Sequence, residues 1–282
     1  MSTEEGQGGD PEAGPAALRP QTVMFTFLGN YVLGRDVCVF SGSYIEVMAR
    51  VGVSEHATRS TLTRMVNRGL LRRQRQGRRM YFGLTPRSEA ILKDGEVRVW
   101  RPDAVNLESG ESWTLVGFSL PEALQRARHD LRSRLVWAGF GMLHSGLWIA
   151  PSRVDVTGIL TELGLEDYVK VFTAHPVHPA DLGPLIRDAY DLTGLAGRYE
   201  TYLRRWGRPD PLAGVPDPLA RKLLLLAEWL EIVRGDPRLP LHHLPADWPA
   251  PRAQELLRAL HSRLEALAGE MAEGLLETVP AE

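Results

Sequence analysis

Residues 51–85 read VGVSEHATRSTLTRMVNRGLLRRQRQGRRMYFGLT, and this stretch decides the fold. Val51-Gly52-Val53-Ser54 has the makeup of a tight turn between two helices, because Gly52 can take the left-handed conformation that ends a helix and Ser54 can cap the next one. The helix that Ser54 opens runs from Glu55 to Asn67, with Leu62, Met65 and Val66 as its apolar side at spacings of three and four. Thr58, Arg59, Ser60, Thr63, Arg64 and Asn67 fall on the other faces, and these are side chains that read base edges and hold phosphates. Gly69 ends the helix. Leu70 to Thr85 then gives two strand-like runs around Gln76-Gly77, a hairpin whose tip carries Arg75, Arg78 and Arg79, with Tyr81 on the returning strand. Helix, turn, polar helix and basic hairpin in this order predict a winged helix-turn-helix, with double-stranded DNA as partner.

Upstream of the turn, Thr22–Leu33 reads as an opening helix with Val23, Phe25, Phe27, Leu28, Tyr31 and Val32 as its buried stripe, and Ser43–Arg50 as a second helix. The charge agrees with a DNA-facing end. The 282 residues carry a net charge of −2, but residues 1–20 hold −3, residues 21–100 hold +7 from 13 basic and six acidic side chains, and residues 101–282 hold −6. No acidic side chain stands between Glu55 and Glu89, where nine arginines fall. The acidic remainder cannot itself grip a polyanion and suits dimerisation and low non-specific affinity. A length of this order fits about two or three domains. The lone Cys38 excludes an intrachain disulfide and a Cys-rich zinc site and fits a reducing cytoplasm, and no apolar run is long enough to cross a bilayer. Residues 1–20, rich in Gly, Pro, Glu and Ala, read as a disordered tail after which the winged helix-turn-helix occupies 21–95.

Residues 96–178 form a second unit. Lys93–Ser112 has no strong period and reads as a linker. Trp113–Ser119 is then strand-like, Pro121–Ala138 an amphipathic helix, Gly146–Ala150 a strand, Val154–Leu163 helical and Tyr168–Thr173 a strand. That order predicts a ferredoxin-like α+β sandwich. Gly139-Phe140-Gly141 lacks the third glycine of a dinucleotide loop and reads as a turn. Residues 179–282 predict a helical domain for dimerisation and effector binding, with long helices at Ala180–Trp206, Pro218–Gly235 and Arg252–Leu276 and a proline-rich, non-helical Asp236–Pro249.

These elements resemble the PaaX family of transcriptional repressors over about Gln21 to Glu270. The most specific motifs are Phe25-Thr26-Phe27-Leu28-Gly29-Asn30-Tyr31, the turn and helix from Ser54 to Leu71, Gly77-Arg78-Arg79-Met80-Tyr81 and Trp113-Thr114-Leu115-Val116. To these are added Trp137-Ala138-Gly139-Phe140-Gly141, Gly146-Leu147-Trp148-Ile149-Ala150-Pro151 and the Asp236-Pro237 to Trp248-Pro249 block. The resemblance implies a homodimer on a pseudo-palindromic operator of an aromatic (phenylacetate-type) catabolic operon, released by an aryl-CoA or acyl-CoA thioester such as phenylacetyl-CoA. It also implies a central domain similar to small CRISPR-associated nucleases. Those nucleases hold a divalent metal on an Asp ending the first strand, where this chain has Ser119, a poor ligand for a hard cation. No enzyme activity, cofactor or metal is therefore expected.

His175 and His178, and the pair His242-His243, lack Cys partners and read as surface or structural. An effector site needs apolar walls and guanidiniums for CoA phosphates. Arg198, Tyr202, Arg204 and Arg205, with Tyr199 and Trp206 beside them, are the candidate effector-binding residues. The alternative is a helix with its aromatic residues in the core and its arginines solvated. In the DNA complex, Arg59, Ser60, Thr63 and Arg64 are expected nearest the bases and Arg78, Arg79 and Tyr81 against the backbone. The rival function is an RNA-binding or protein-interaction module using the central sandwich.

Overall fold

The computed structural model describes residues 18–100, 112–175, 182–210, 215 and 217–281. The expected disordered tail lies outside the described residues apart from its last three, as do residues 101–111 of the expected linker and His178. The first unit runs α1 (Pro20–Tyr31), β1 (Val37–Phe40), α2 (Ser41–Arg50), α3 (Glu55–Asn67), β2 (Leu71–Gln76), β3 (Arg79–Leu84) and α4 (Pro86–Trp100). The second is β4 (Trp113–Phe118), α5 (Gln125–Trp137), β5 (Gly141–His144), β6 (Leu147–Ala150), α6 (Thr157–Leu163) and β7 (Val169–Ala174). The third holds α7 (Gly183–Ala189), α8 (Leu192–Trp206), α9 (Pro218–Val233), α10 (Ala250–Leu275) and β8 (Thr278–Pro280).

The central sheet has the order β5-β6-β4-β7 with every pair antiparallel, the ferredoxin-like arrangement, and α5 and α6 close its core with Leu131, Leu135 and Leu160. Gly139 lies in a turn as expected, whereas Gly141 opens strand β5, and the lack of a side chain at both has a packing reason. A Cβ on Gly139 would stand 3.0 Å from the Pro237 carbonyl oxygen, and one on Gly141 2.7 Å from that of Ala189. The third unit is pressed onto the second here, and the Tyr190 hydroxyl donates to the carbonyls of Gly139 and Ile149 at 3.2 and 2.8 Å. In the proline-rich block, Asp236 accepts bonds from the Tyr199 hydroxyl and, at 2.6 Å, from the Arg238 amide, and burial pushes its carboxyl up to about 6.

The first and third units share a core. α1 is buried on nearly every side, as its apolar sequence demands, and the winged helix alone cannot cover it. Leu219, Leu223 and Ala227 of α9 and Ala268 and Ala272 of α10 join Phe27, Leu28, Tyr44, Leu62 and Met65 in one cluster. Arg50 of α2 reaches the cap of α9, 2.6 Å from Asp217, whose other oxygen accepts from the Ala220 amide.

Four expectations need correction. Residues 93–100 belong to α4 rather than to a linker, because Leu92 and Val99 give that stretch a buried side that its mixed charge hides. The expected helix from 180 to 206 is broken at Tyr190-Asp191, where Asp191 turns to cap α8 by accepting from the Gly194 amide. Strands β1 and β5 were not anticipated. Finally, the helical domain ends in β8, which pairs with β1 and completes the sheet β2-β3-β1-β8 of the winged helix.

Candidate nucleic-acid interface

Helix α3 is set by its own sequence. Gly52 has φ of 81°, and the Ser54 hydroxyl accepts from the Ala57 amide at 3.2 Å, satisfying a helix-end donor that has no partner inside the helix. Thr58, Thr61, Leu62 and Met65 form the buried face. Thr58 therefore does not face DNA as expected: it lies four residues before Leu62 and seven before Met65, on the same stripe. Its hydroxyl donates to the Ser54 carbonyl at 3.0 Å. The outer face carries Arg59, Thr63, Arg64 and Asn67 exposed and Ser60 half-buried. Arg59 is 2.7 Å from Glu55, an exposed pair one helical turn apart that water and salt screen. Arg64 instead donates to the Ser60 and Thr61 hydroxyls at 2.6 and 2.9 Å. Neutral partners orient its guanidinium without spending its charge.

The wing is the β2–β3 hairpin, paired from Leu71↔Leu84 out to Gln76↔Arg79. Its two-residue loop is Gly77-Arg78, with Gly77 at φ of 61°, the left-handed geometry that a loop with glycine first is built for. Arg73, Arg75 and Arg78 are exposed and have no acidic partner among the described residues. Arg79 and Tyr81 behave differently from expectation. Both bond to Glu277, Arg79 as an ion pair and the Tyr81 hydroxyl at 2.9 Å, and Tyr81 is only 4% exposed. Tyr81 first and Arg79 second hold the Glu277 carboxyl below the usual glutamate range. Gln74 adds a bond to the Pro280 carbonyl at 3.1 Å. The inner side of the wing is thus clasped by the carboxy-terminal strand, and Tyr81 is unavailable to a phosphate. Arg73 was overlooked as a site residue, although its alternation with Arg75 on an exposed strand was a readable signal; Glu277 had no signal near the wing.

The four candidate effector residues do not converge. Tyr199, Tyr202 and Trp206 pack with Trp229 in the third unit's core, and the Tyr202 hydroxyl points at the Leu225 carbonyl. Arg205 is ion-paired to Glu228, which also accepts from the Trp206 indole at 2.8 Å and whose carboxyl burial pushes upward. Arg204 and Arg198 lie on the surface, Arg204 beside Thr201. The arrangement is the helix with an aromatic core and mostly solvated arginines. Among the described residues no three His, Cys, Asp or Glu side chains are grouped to hold a metal, and no helix is long and apolar enough to cross a membrane. His242 and His243 stack on each other and His175 meets the Ser112 hydroxyl at 3.2 Å.

Three family models match this chain in order: PaaX-like protein over residues 19–88, PaaX protein central Cas2-like domain over 107–185, and PaaX-like protein C-terminal domain over 190–274. The chain belongs to the PaaX family. Transcriptional repressor PaaX of Escherichia coli (strain K12) is 27% identical over 256 residues, covering 86% of this chain and 79% of that one. Membership in a family of transcriptional repressors implies DNA binding. An uncharacterised protein of Mycobacterium tuberculosis, Rv0674, shares the fold at a TM-score of 0.60 and 22% identity, over 91% of this chain and all of that one. The PaaX, Cas2-like and carboxy-terminal parts correspond to the three units described above.

Proposed function

We propose that this PaaX-family protein is a homodimeric repressor that reads a pseudo-palindromic operator with the outer face of α3 and lets go when an aryl-CoA or acyl-CoA thioester, such as phenylacetyl-CoA, binds. The observation that carries the DNA reading is one surface: Ser60, Thr63, Arg64 and Asn67 on α3 stand beside a wing whose Arg73, Arg75 and Arg78 are unneutralised. A helix of this width enters the major groove, where Arg64 can donate two bonds to a guanine edge and Asn67 can pair with adenine. Wing guanidiniums neutralise phosphates and fix the register without reading sequence. In a twofold dimer the two α3 helices meet half-sites about one duplex turn, or a multiple of it, apart. The thioester, the dimer and the phenylacetate-type operon come from the family likeness alone.

A second reading, protein or RNA contact through the central sandwich, is favoured by one observation. The sheet edge β7 leaves Val171 and Phe172 43% and 58% exposed. Competition separates the two. Duplex DNA from upstream of the chain's own gene should outcompete random duplex by at least about 10³-fold at a stated salt concentration. Preference for single strands, or equal competition by random duplex, would sink the operator reading.

A further inference from the structure

A cavity of about 300 Å³ lies where the three units meet. Phe25 of α1, Leu92 and Trp100 of α4, Trp137 of α5, Leu226 of α9 and His261 of α10 all line it. Aromatic and aliphatic side chains share its walls with polar ones such as Thr26 and Asn30, and the Trp100 and His261 rings sit 4.3 Å apart. Trp137 is anchored across the junction by its indole, which donates to Asp94 of α4 at 3.2 Å. The charged lining groups are of both signs: Glu265 is 2.7 Å from Lys222, Arg234 is 3.4 Å from Glu231, and the exposed Glu96 adds a further negative charge. Burial first, and the Lys222 ammonium second, hold His261 below its ordinary pKa, so at neutral pH it adds no cation. A polyanion finds nothing to pair with inside; a flat uncharged group finds aromatic faces on several sides.

We infer that this junction cavity is the effector site, and that it takes the apolar end of the ligand, a single aromatic ring or a short acyl chain, with the polar remainder outside. The inference rests on the reading of the protein as a ligand-released repressor. Its volume is at the lower end for ligand pockets, which suits one ring rather than a fused system. Its position supplies the coupling. α4 follows the wing strand β3 directly, while α9 and α10 belong to the third unit, so a group wedged between them fixes the distance between head and body. A ligand that prefers the spacing with the cavity open disfavours any DNA-bound spacing that closes it, and the operator must weaken the ligand by the same factor.

Gly95 of α4 provides the test, since it lines the cavity and a Cβ there meets nothing within 4 Å. Gly95→Leu should fill the space, keep operator affinity and abolish relief by phenylacetyl-CoA; relief equal to that of the native chain would overturn the site. A second variant covers the case in which the filled helix fails to fold or to bind operator. Ile91 lines the same cavity and is 44% exposed, and Cys38, the only native thiol, is buried. Maleimide labelling of Ile91→Cys should slow at least about tenfold with saturating phenylacetyl-CoA and not with free CoA, and equal rates with both would remove the proposal. Protection of Ile91→Cys without any acyl-CoA effect on native operator binding would keep the site and sink the induction reading. Relief of operator binding without protection would do the reverse.

Discussion

Helix α3 and the wing sit side by side, yet their outer faces are held in opposite ways. α3 draws its cap, its turn and the bonds that orient Arg64 from residues within a few positions of itself. The wing draws its support from the other end of the chain, through β8, Glu277 and Pro280. The outer face of α3 is therefore set by local bonds although its buried face shares a core with α9 and α10, while the wing is clasped from the third unit. A ligand or partner acting on that unit has a hydrogen-bonded route to the wing through Glu277 and Pro280, and a packed route to α3 through the core shared with α9 and α10.

The largest test of this contrast is Arg64→Ala. A guanidinium held by hydroxyls and free of any acid in α3 should be worth about 1–3 kcal/mol against its base, so operator affinity should fall by roughly 5- to 150-fold and discrimination at one base pair should relax. Arg59→Ala, whose charge is already shared with Glu55, should cost much less. Equal losses in a titration of wild-type and mismatched operators would show that the neutral hydroxyl clamp on Arg64 confers no advantage.

Next in size is Ser54→Ala. Losing the bond to the Ala57 amide should destabilise the protein by about 1 kcal/mol, within a range of roughly 0.5–2, as read from denaturant midpoints. If the outer face of α3 is set by its local bonds, the loss should appear in stability and operator affinity together while the wing's salt dependence stays unchanged. A change in the salt slope would mean that helix and wing are more tightly coupled than their bonding shows.

The same contrast explains what could be read in advance. The bounds of α3, the left-handed Gly52, the Ser54 cap and the hairpin turn at Gly77 follow from local rules, and the central strand-helix order follows from periodicity. Thr58 was misplaced although its spacing from Leu62 and Met65 puts it on the buried stripe; its polar side chain outweighed its position, and a bond to the Ser54 carbonyl lets a threonine be buried at little cost. Glu277 and β8 were beyond reach, because a three-residue strand nearly two hundred positions from the wing carries no periodicity of its own. The sequence reading gave α1 a buried stripe, whereas the helix is buried on nearly every side. What covers it, α9 and α10, is a tertiary fact.

The smallest and most specific test is Glu277→Gln. The substitution leaves β8 paired and lets the amide oxygen still accept from Tyr81, but it removes the charge that neutralises Arg79. Because Tyr81 and Arg79 hold the carboxyl below the usual glutamate range, the clasp is fully formed above that range and is lost only as pH falls through the lowered pKa; near neutrality the variant alone releases Arg79. One more guanidinium then becomes available to a phosphate, so the slope of log affinity against log salt should steepen by about 0.9 on duplex DNA of any sequence. Arg78→Ala should flatten the slope by about the same amount. An unchanged slope in Glu277→Gln would mean that Arg79 never reaches the backbone, and the wing's grip would then rest on Arg73, Arg75 and Arg78 alone. A steeper slope would show the opposite, that the end of the chain holds one phosphate contact in reserve, and that whatever displaces β8 alters how strongly the repressor holds DNA without touching what it reads.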